Sequence, residues 1–131
     1  MLTVKDIMTR EIVTISPESS IREATDKLLE NSVSGLPVVD AAGNLVGIVT
    51  EFALLAMAYD NNVSDDFVAE HMTTDVLSIN VSDPINKVAD AFILHRVRRL
   101  PVMEDGRLVG LVARRDVLRA LHYAEAPYAA C

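Results

Sequence analysis

Apolar residues along the chain follow two rhythms, and each rhythm predicts an element. Ile21, Ala24 and Leu28 recur at the spacing of a helix face, with Leu29 widening the stripe. Ser20-Ile21-Arg22-Glu23 at their head reads as a capping box: the Ser hydroxyl bonds the third amide and the Glu reaches back. Short apolar runs at 36–39 and 45–49 predict two strands, and Asp40-Ala41-Ala42-Gly43-Asn44 between them holds turn residues. Residues 11–15 read as a short strand that stops at Pro17, and 52–59 as a helix. The plan is strand, helix, strand, strand, helix.

The same plan is then written a second time. Val4-Lys5-Asp6-Ile7-Met8-Thr9 lies over Val68-Ala69-Glu70-His71-Met72-Thr73, and Val33-Ser34-Gly35-Leu36-Pro37-Val38 over Val97-Arg98-Arg99-Leu100-Pro101-Val102, at an offset of 64. One residue is lost in the following turn. Gly43-Asn44-Leu45-Val46-Gly47-Ile48-Val49 therefore matches Gly106-Arg107-Leu108-Val109-Gly110-Leu111-Val112 at an offset of 63. Such a duplication is an architectural signal. In the second copy Asp83 is expected to cap a helix with Pro84 at its first position, and Ile85, Val88 and Phe92 form the buried stripe. Val117, Leu121 and Ala124 line the last helix. Gly47 and Gly110 are expected to admit a close neighbour. The divisions read from the sequence are repeat 1 at 1–60, a polar linker at 61–66, repeat 2 at 67–124 and a flexible tail at 125–131.

Composition sharpens this picture. The chain has 131 residues, half of them hydrophobic, which is ample for a core and predicts self-association. Its net charge of −7 argues against a nucleic-acid partner. Residues 1–66 hold four basic against eleven acidic side chains, whereas 67–131 hold eight of each. Arg96, Arg98, Arg99, Arg114, Arg115 and Arg119 concentrate in the second half, which points to a small anion as partner. The single cysteine, Cys131, allows no disulfide framework and fits a reducing compartment. No basic stretch followed by an apolar run opens the chain, and its longest apolar run is far short of the ~18 residues of a membrane span. A cytoplasmic location without membrane attachment is the expectation.

Asp-Ile-Met-Thr at the head of a unit, a Leu-Pro-Val strand, and Gly-Asn-Leu-Val-Gly-Ile-Val-Thr together resemble a CBS domain, the module named after cystathionine β-synthase. Two in tandem resemble a Bateman module, and the resemblance covers residues 4 to about 122. It implies an α/β (α+β) fold of two β-α-β-β-α repeats related by a pseudo-two-fold axis, with strands packed together and helices outside. It also implies clefts between the repeats that bind adenosine-containing ligands, and pairing of two copies into a four-repeat disk. The expected function is regulatory ligand sensing, read out by a separate effector protein, with no catalysis.

The site residues implied by the resemblance are distributed unevenly. The family's ribose motif places a Thr or Ser three residues before an Asp, because a carboxylate accepts from two adjacent hydroxyls. Gly47-Ile48-Val49-Thr50-Glu51-Phe52-Ala53 keeps the hydroxyl at Thr50 and has Ala53 for the acid. Gly110-Leu111-Val112-Ala113-Arg114-Arg115-Asp116 keeps Asp116 and has Ala113 for the hydroxyl. A basic pair ahead of the Leu-Pro strand matches Arg98-Arg99, and guanidinium forks suit phosphate oxygens. Arg114 and Arg115 are second candidates for phosphate. The adenine slot is assigned to Ile15 or Ile79 with Pro37 or Pro101. AMP, ADP or ATP is therefore the expected ligand ahead of S-adenosylmethionine or NAD. The alternative is a structural or oligomerisation module whose clefts no longer bind, favoured by Ala53 and Ala113. His71, His95 and His122 lie far apart with no cysteine near, so no metal site is expected; no nucleophile or phosphate-loop motif of an enzyme appears.

Overall fold

The structure, a computed structural model, describes residues 2–60 and 62–124. The elements run α1 (Val4–Ile7), α2 (Ile21–Asn31), β1 (Gly35–Val39), β2 (Leu45–Thr50), α3 (Glu51–Met57), α4 (Val68–His71), β3 (Ile79–Asn80), α5 (Ile85–His95), β4 (Arg99–Glu104), β5 (Arg107–Ala113) and α6 (Arg114–Tyr123). They group into two compact units. One is continuous, Val13–Val76; the other is split, joining the residues up to Ile12 to those from Leu77 onward.

The units therefore do not coincide with the sequence repeats, because the opening segments are exchanged. Val4, from the first repeat, is fully buried in the core of the split unit beside Ile85, Val88, Leu100 and Val112. Val68, from the second, is fully buried in the core of the continuous unit beside Ile21, Leu36 and Val49. Backbone pairing follows. Thr9 and Leu111 exchange N–H···O bonds of 2.8 and 2.9 Å, and Thr73 and Ile48 exchange two of 2.9 Å. The close neighbour that each glycine admits is the methionine of the exchanged segment. A Cβ on Gly47 would lie 2.6 Å from Met72 Sδ, and one on Gly110 would lie 2.7 Å from Met8 Sδ.

Each unit is built on one antiparallel hairpin. β1 pairs with β2 through Leu36↔Val49 and Pro37↔Ile48. β4 pairs with β5 through Leu100↔Val112 and Pro101↔Leu111, with a register shift at the same place in both copies. Three successive residues of β1 and of β4 are buried, as strands covered on both faces require. The turn between β1 and β2 is held by Asp40, whose carboxylate receives the N–H groups of Asn44 (2.9 Å) and Ala42 (3.0 Å). The bond from Asn44 is the main reason that its carboxyl titrates below the ordinary range.

Local expectations are met where the signal is local. Glu23 N–H donates to Ser20 Oγ at 3.0 Å and Ser20 N–H to Glu23 Oε1 at 3.3 Å, completing the capping box of α2. Ile21, Ala24 and Leu28 are buried, as are Ile85, Val88 and Phe92 of α5. Four details differ. The first strand shrinks to a parallel bridge at Ile15↔Val38 in one unit and to the two residues of β3 in the other. That segment has only one neighbouring strand, and in the first copy it is cut short by Pro17. Leu29 is 67% exposed and lies outside the buried stripe. Pro84 adopts extended backbone as the N-cap of α5, so the helix starts at Ile85; Asp83 instead accepts from Asn80 N–H (2.9 Å) and Lys87 Nζ (3.2 Å). The polar stretch before Phe67 caps α2: the carbonyls of Asp66 and Ser64 accept from the N–H groups of Ile21 (3.0 Å) and Arg22 (2.9 Å), two donors that a helix start leaves without partners. The tail at 125–131 lies outside the described residues.

Candidate functional site

The far end of the β4–β5 hairpin gathers the basic residues of the split unit. Arg99 pairs with Ala113 in the ladder. One step beyond, the Arg114 N–H donates to the Arg98 carbonyl at 3.0 Å. Arg98 and Arg99 thus share one end of the ladder with Arg114 and Arg115, where α6 begins, and all four are exposed. The first turn of a ten-residue helix adds a partial positive charge there.

Asp116 stands in the same first turn. Its Oδ2 accepts the N–H of Ala113 at 3.2 Å, which is half of a capping box, and its Oδ1 lies 3.7 Å from Arg119 Nη1. Successive helix residues turn by about 100°, which sets Arg115 about 100° and Arg114 about 200° around the axis from Asp116. Arg114 therefore leaves α6 on the side away from Asp116, and Arg115 lies between them. Asp116 and Arg119 open instead onto a cavity of about 370 Å³ lined also by Leu2, Ile7, Ala120 and Tyr123. Reasoning from the sequence missed this cavity. The spacing of Asp116, Arg119, Ala120 and Tyr123 on one helical face was readable, but Leu2 and Ile7 arrive only through the exchanged opening segment.

The continuous unit presents the same backbone with other side chains. The Glu51 N–H donates to the Ser34 carbonyl at 2.9 Å, the counterpart of the Arg114–Arg98 bond. Thr50 is the N-cap of α3, and its Oγ1 accepts the Ala53 N–H at 3.2 Å. Ile15 and Ile79 sit at 6% and 7% exposure in the two cores, and Pro37 and Pro101 are fully buried. The assigned residues thus divide: Thr50, Ile15 and Pro37 belong to the continuous unit, and Asp116, the arginines, Ile79 and Pro101 to the split one.

Grouping by space rather than chain order widens the charge asymmetry. The continuous unit holds two basic and eleven acidic residues, net −9, and the split unit ten basic and eight acidic, net +2. Among the described residues no cluster of three or more His, Cys, Asp or Glu is placed to hold a metal ion. No helix among them is long and apolar enough to cross a membrane.

The family model of the CBS domain matches the chain twice, at residues 4–59 and 66–123. The CBS domain-containing protein YhcV of Bacillus subtilis is 34% identical over 119 residues, spanning 89% of this chain and 84% of that protein. The chain spans 42% of an uncharacterised protein of Methanocaldococcus jannaschii, at 28% identity, and only 24% of that organism's inosine-5'-monophosphate dehydrogenase, at 31% identity. Among solved structures, CBSX2 of Arabidopsis thaliana in complex with AMP superposes with a TM-score of 0.83 at 32% identity, covering 93% of this chain and 97% of that one. The CBS domain pair of protein MJ0100, in complex with 5'-methylthioadenosine and S-adenosyl-L-methionine, gives a TM-score of 0.80 at 30% identity, covering 93% and 97%.

Proposed function

The chain belongs to the CBS domain family, as a tandem pair, and from that premise we propose that it is a regulatory module that binds an adenine nucleotide at the site of the split unit. The observation that carries this reading is the hairpin end that joins Arg98 and Arg99 to the first turn of α6, where Asp116 stands. Asp116 commits one bond to Ala113, which leaves lone pairs for ribose hydroxyls. Arg98 and Arg99, with Arg114 and Arg115 beyond them, supply guanidinium forks for phosphate oxygens. The Ile79 and Pro101 side chains are buried in the core, so the backing for adenine falls to the backbone of the strands that carry them. The phosphate-binding chemistry favours AMP, ADP or ATP ahead of S-adenosylmethionine or NAD. AMP bound to CBSX2 supports the class, and the sulfonium and thioether ligands of the MJ0100 pair mark its breadth. The module catalyses nothing, works in the cytoplasm as a homodimer, and signals to a separate effector protein.

A second reading, a structural module, draws on one observation: Thr50 and Asp116 each already serve a helix cap. Thermal unfolding of nucleotide-free protein with AMP, ADP, ATP, NAD and S-adenosylmethionine separates the two. At about 100 times its Kd, a ligand adds about 2.7 kcal/mol, a shift of several degrees. A shift with one nucleotide that Asp116→Ala abolishes supports the sensor. No shift with any ligand makes the structural module the better account.

A further inference from the structure

The Asp116 carboxylate has one oxygen committed and one guarded. Oδ2 accepts the Ala113 N–H at 3.2 Å, whereas Oδ1 faces Arg119 Nη1 at 3.7 Å. Residues three apart share a helix face, so α6 itself sets Arg119 beside Asp116. The pair is loose and open to solvent, with the Arg119 side chain 60% exposed and that of Asp116 26%. An ion pair of this kind is worth little by itself, so the guanidinium leaves it at small cost. Both residues open onto the cavity of about 370 Å³, whose remaining walls, from Leu2 and Ile7 to Ala120 and Tyr123, carry no charge. Arg119 is thus the one cation among the described residues that line it. The fold does not need the pair in order to start a helix here. At the offset of 63 its counterparts are Ala53 and Ala56, and α3 begins at the equivalent residue without it.

We propose that Arg119 is the specificity-determining residue of this site, and that it selects by the charge a ligand carries at the 5' position of its sugar. This rests on the nucleotide reading above and names the residue that sets the ligand class. A ribose whose hydroxyls donate to Asp116 Oδ1 takes the place of the guanidinium. A 5'-phosphate hangs one methylene from the same sugar ring, within the sweep of a side chain that already lies beside the sugar's acceptor. It offers the displaced guanidinium a new anion, which two parallel N–H bonds can grip. Adenosine displaces the guanidinium and offers nothing in exchange. A sulfonium at the same place sets a second positive charge beside it, which costs free energy at close range. One side chain thereby rewards a phosphate and penalises its absence.

The test is calorimetric titration of the whole, nucleotide-free chain with AMP, adenosine and S-adenosylmethionine, repeated with Arg119→Gln, Arg119→Lys and Arg98→Gln. Arg119→Gln should weaken AMP about tenfold and tighten adenosine and S-adenosylmethionine about twofold to threefold. Opposite changes are the signature of selection, because a merely structural defect weakens all three ligands together. Arg119→Lys keeps the charge and should recover most of the preference for AMP. Without ligand, Arg119→Gln should move the Tm by less than about 2 °C, as loss of an exposed ion pair does. Raising NaCl from about 0.05 to about 0.5 M should narrow the gap between AMP and adenosine in the unsubstituted chain. Unchanged affinities in Arg119→Gln, or an equal loss for all three ligands, overturn the assignment of Arg119 and leave the nucleotide reading standing. Loss of the AMP preference in Arg98→Gln with its retention in Arg119→Gln does the same. Failure of all three ligands to bind the unsubstituted chain, by titration and by thermal shift, overturns the nucleotide reading and this inference together.

Discussion

The two units share a backbone and divide a single device between them. In the continuous unit α3 starts on a hydroxyl, Thr50, which accepts the Ala53 N–H, and has no carboxylate to reach back. In the split unit α6 starts on Ala113, and the Asp116 carboxylate reaches back to its N–H. Each copy holds the half of the capping box that the other lacks. The hydroxyl accepts one bond from the helix. The carboxylate serves the helix and still has acceptor capacity, so the two caps offer different spare groups: an O–H donor at Thr50 and carboxylate lone pairs at Asp116. The neighbouring backbone bond repeats the contrast: Arg114 and Arg98 meet in one unit, Glu51 and Ser34 in the other. Duplication preserves the geometry while letting the chemistry of the two ends diverge.

The largest effects should test the sameness of the cores. Leu36 and Leu100 are equivalent and almost wholly inaccessible. Leu36→Ala and Leu100→Ala should each cost about 2–5 kcal/mol and agree with one another, as read by urea unfolding. A cost in one unit well below the other would break the equivalence.

Next come the glycines under the exchanged methionines. Gly47→Ala meets Met72 Sδ, Met72 Cγ and the Thr73 carbonyl at 2.6, 2.8 and 2.9 Å. Gly110→Ala meets Met8 Sδ, the Thr9 carbonyl and Met8 Cγ at 2.7, 3.0 and 3.1 Å. Both should lose about 1–3 kcal/mol, with Gly47→Ala the worse. Pairing Gly47→Ala with Met72→Ala should recover part of the loss if the exchanged segment is what the new methyl strikes.

The caps should separate stability from binding. Thr50→Ala should cost about 1 kcal/mol of stability and leave a nucleotide-induced thermal shift intact, whereas Asp116→Ala should abolish that shift. Loss of the shift in Thr50→Ala with its retention in Asp116→Ala would assign the ligand to the other unit.

The smallest effect concerns acid. Asp40 has a folded-state pKa below its ordinary 3.8, chiefly through the Asn44 N–H. Its contribution is complete above that ordinary value and is withdrawn as pH falls through the lower folded one. Asp40→Asn should therefore flatten the acid limb of the stability profile slightly, and leave stability near neutral pH with no pH dependence from this turn.

Much of this protein was readable from chain order alone because its signals are local. The capping box at Ser20, the helical stripes at Ile21 and Ile85, the two hairpins and the offset of the duplication each depend on residues a few positions apart, and the structure keeps them. The family followed from the ordered set of those pieces. Tertiary packing decided what local pattern leaves degenerate. Val4-Lys5-Asp6-Ile7-Met8-Thr9 and its counterpart at 68–73 are similar enough that either suits the groove beside Gly47 or Gly110. Only long-range packing seats Val4 under β5 and Val68 under β2, and with that exchange come the cavity between Leu2 and Asp116 and the sharpening of charge to −9 and +2. The direction in which Arg114 and Asp116 part also waited on the structure, since it depends on where α6 begins, and helix starts are set by which backbone donors find partners rather than by composition.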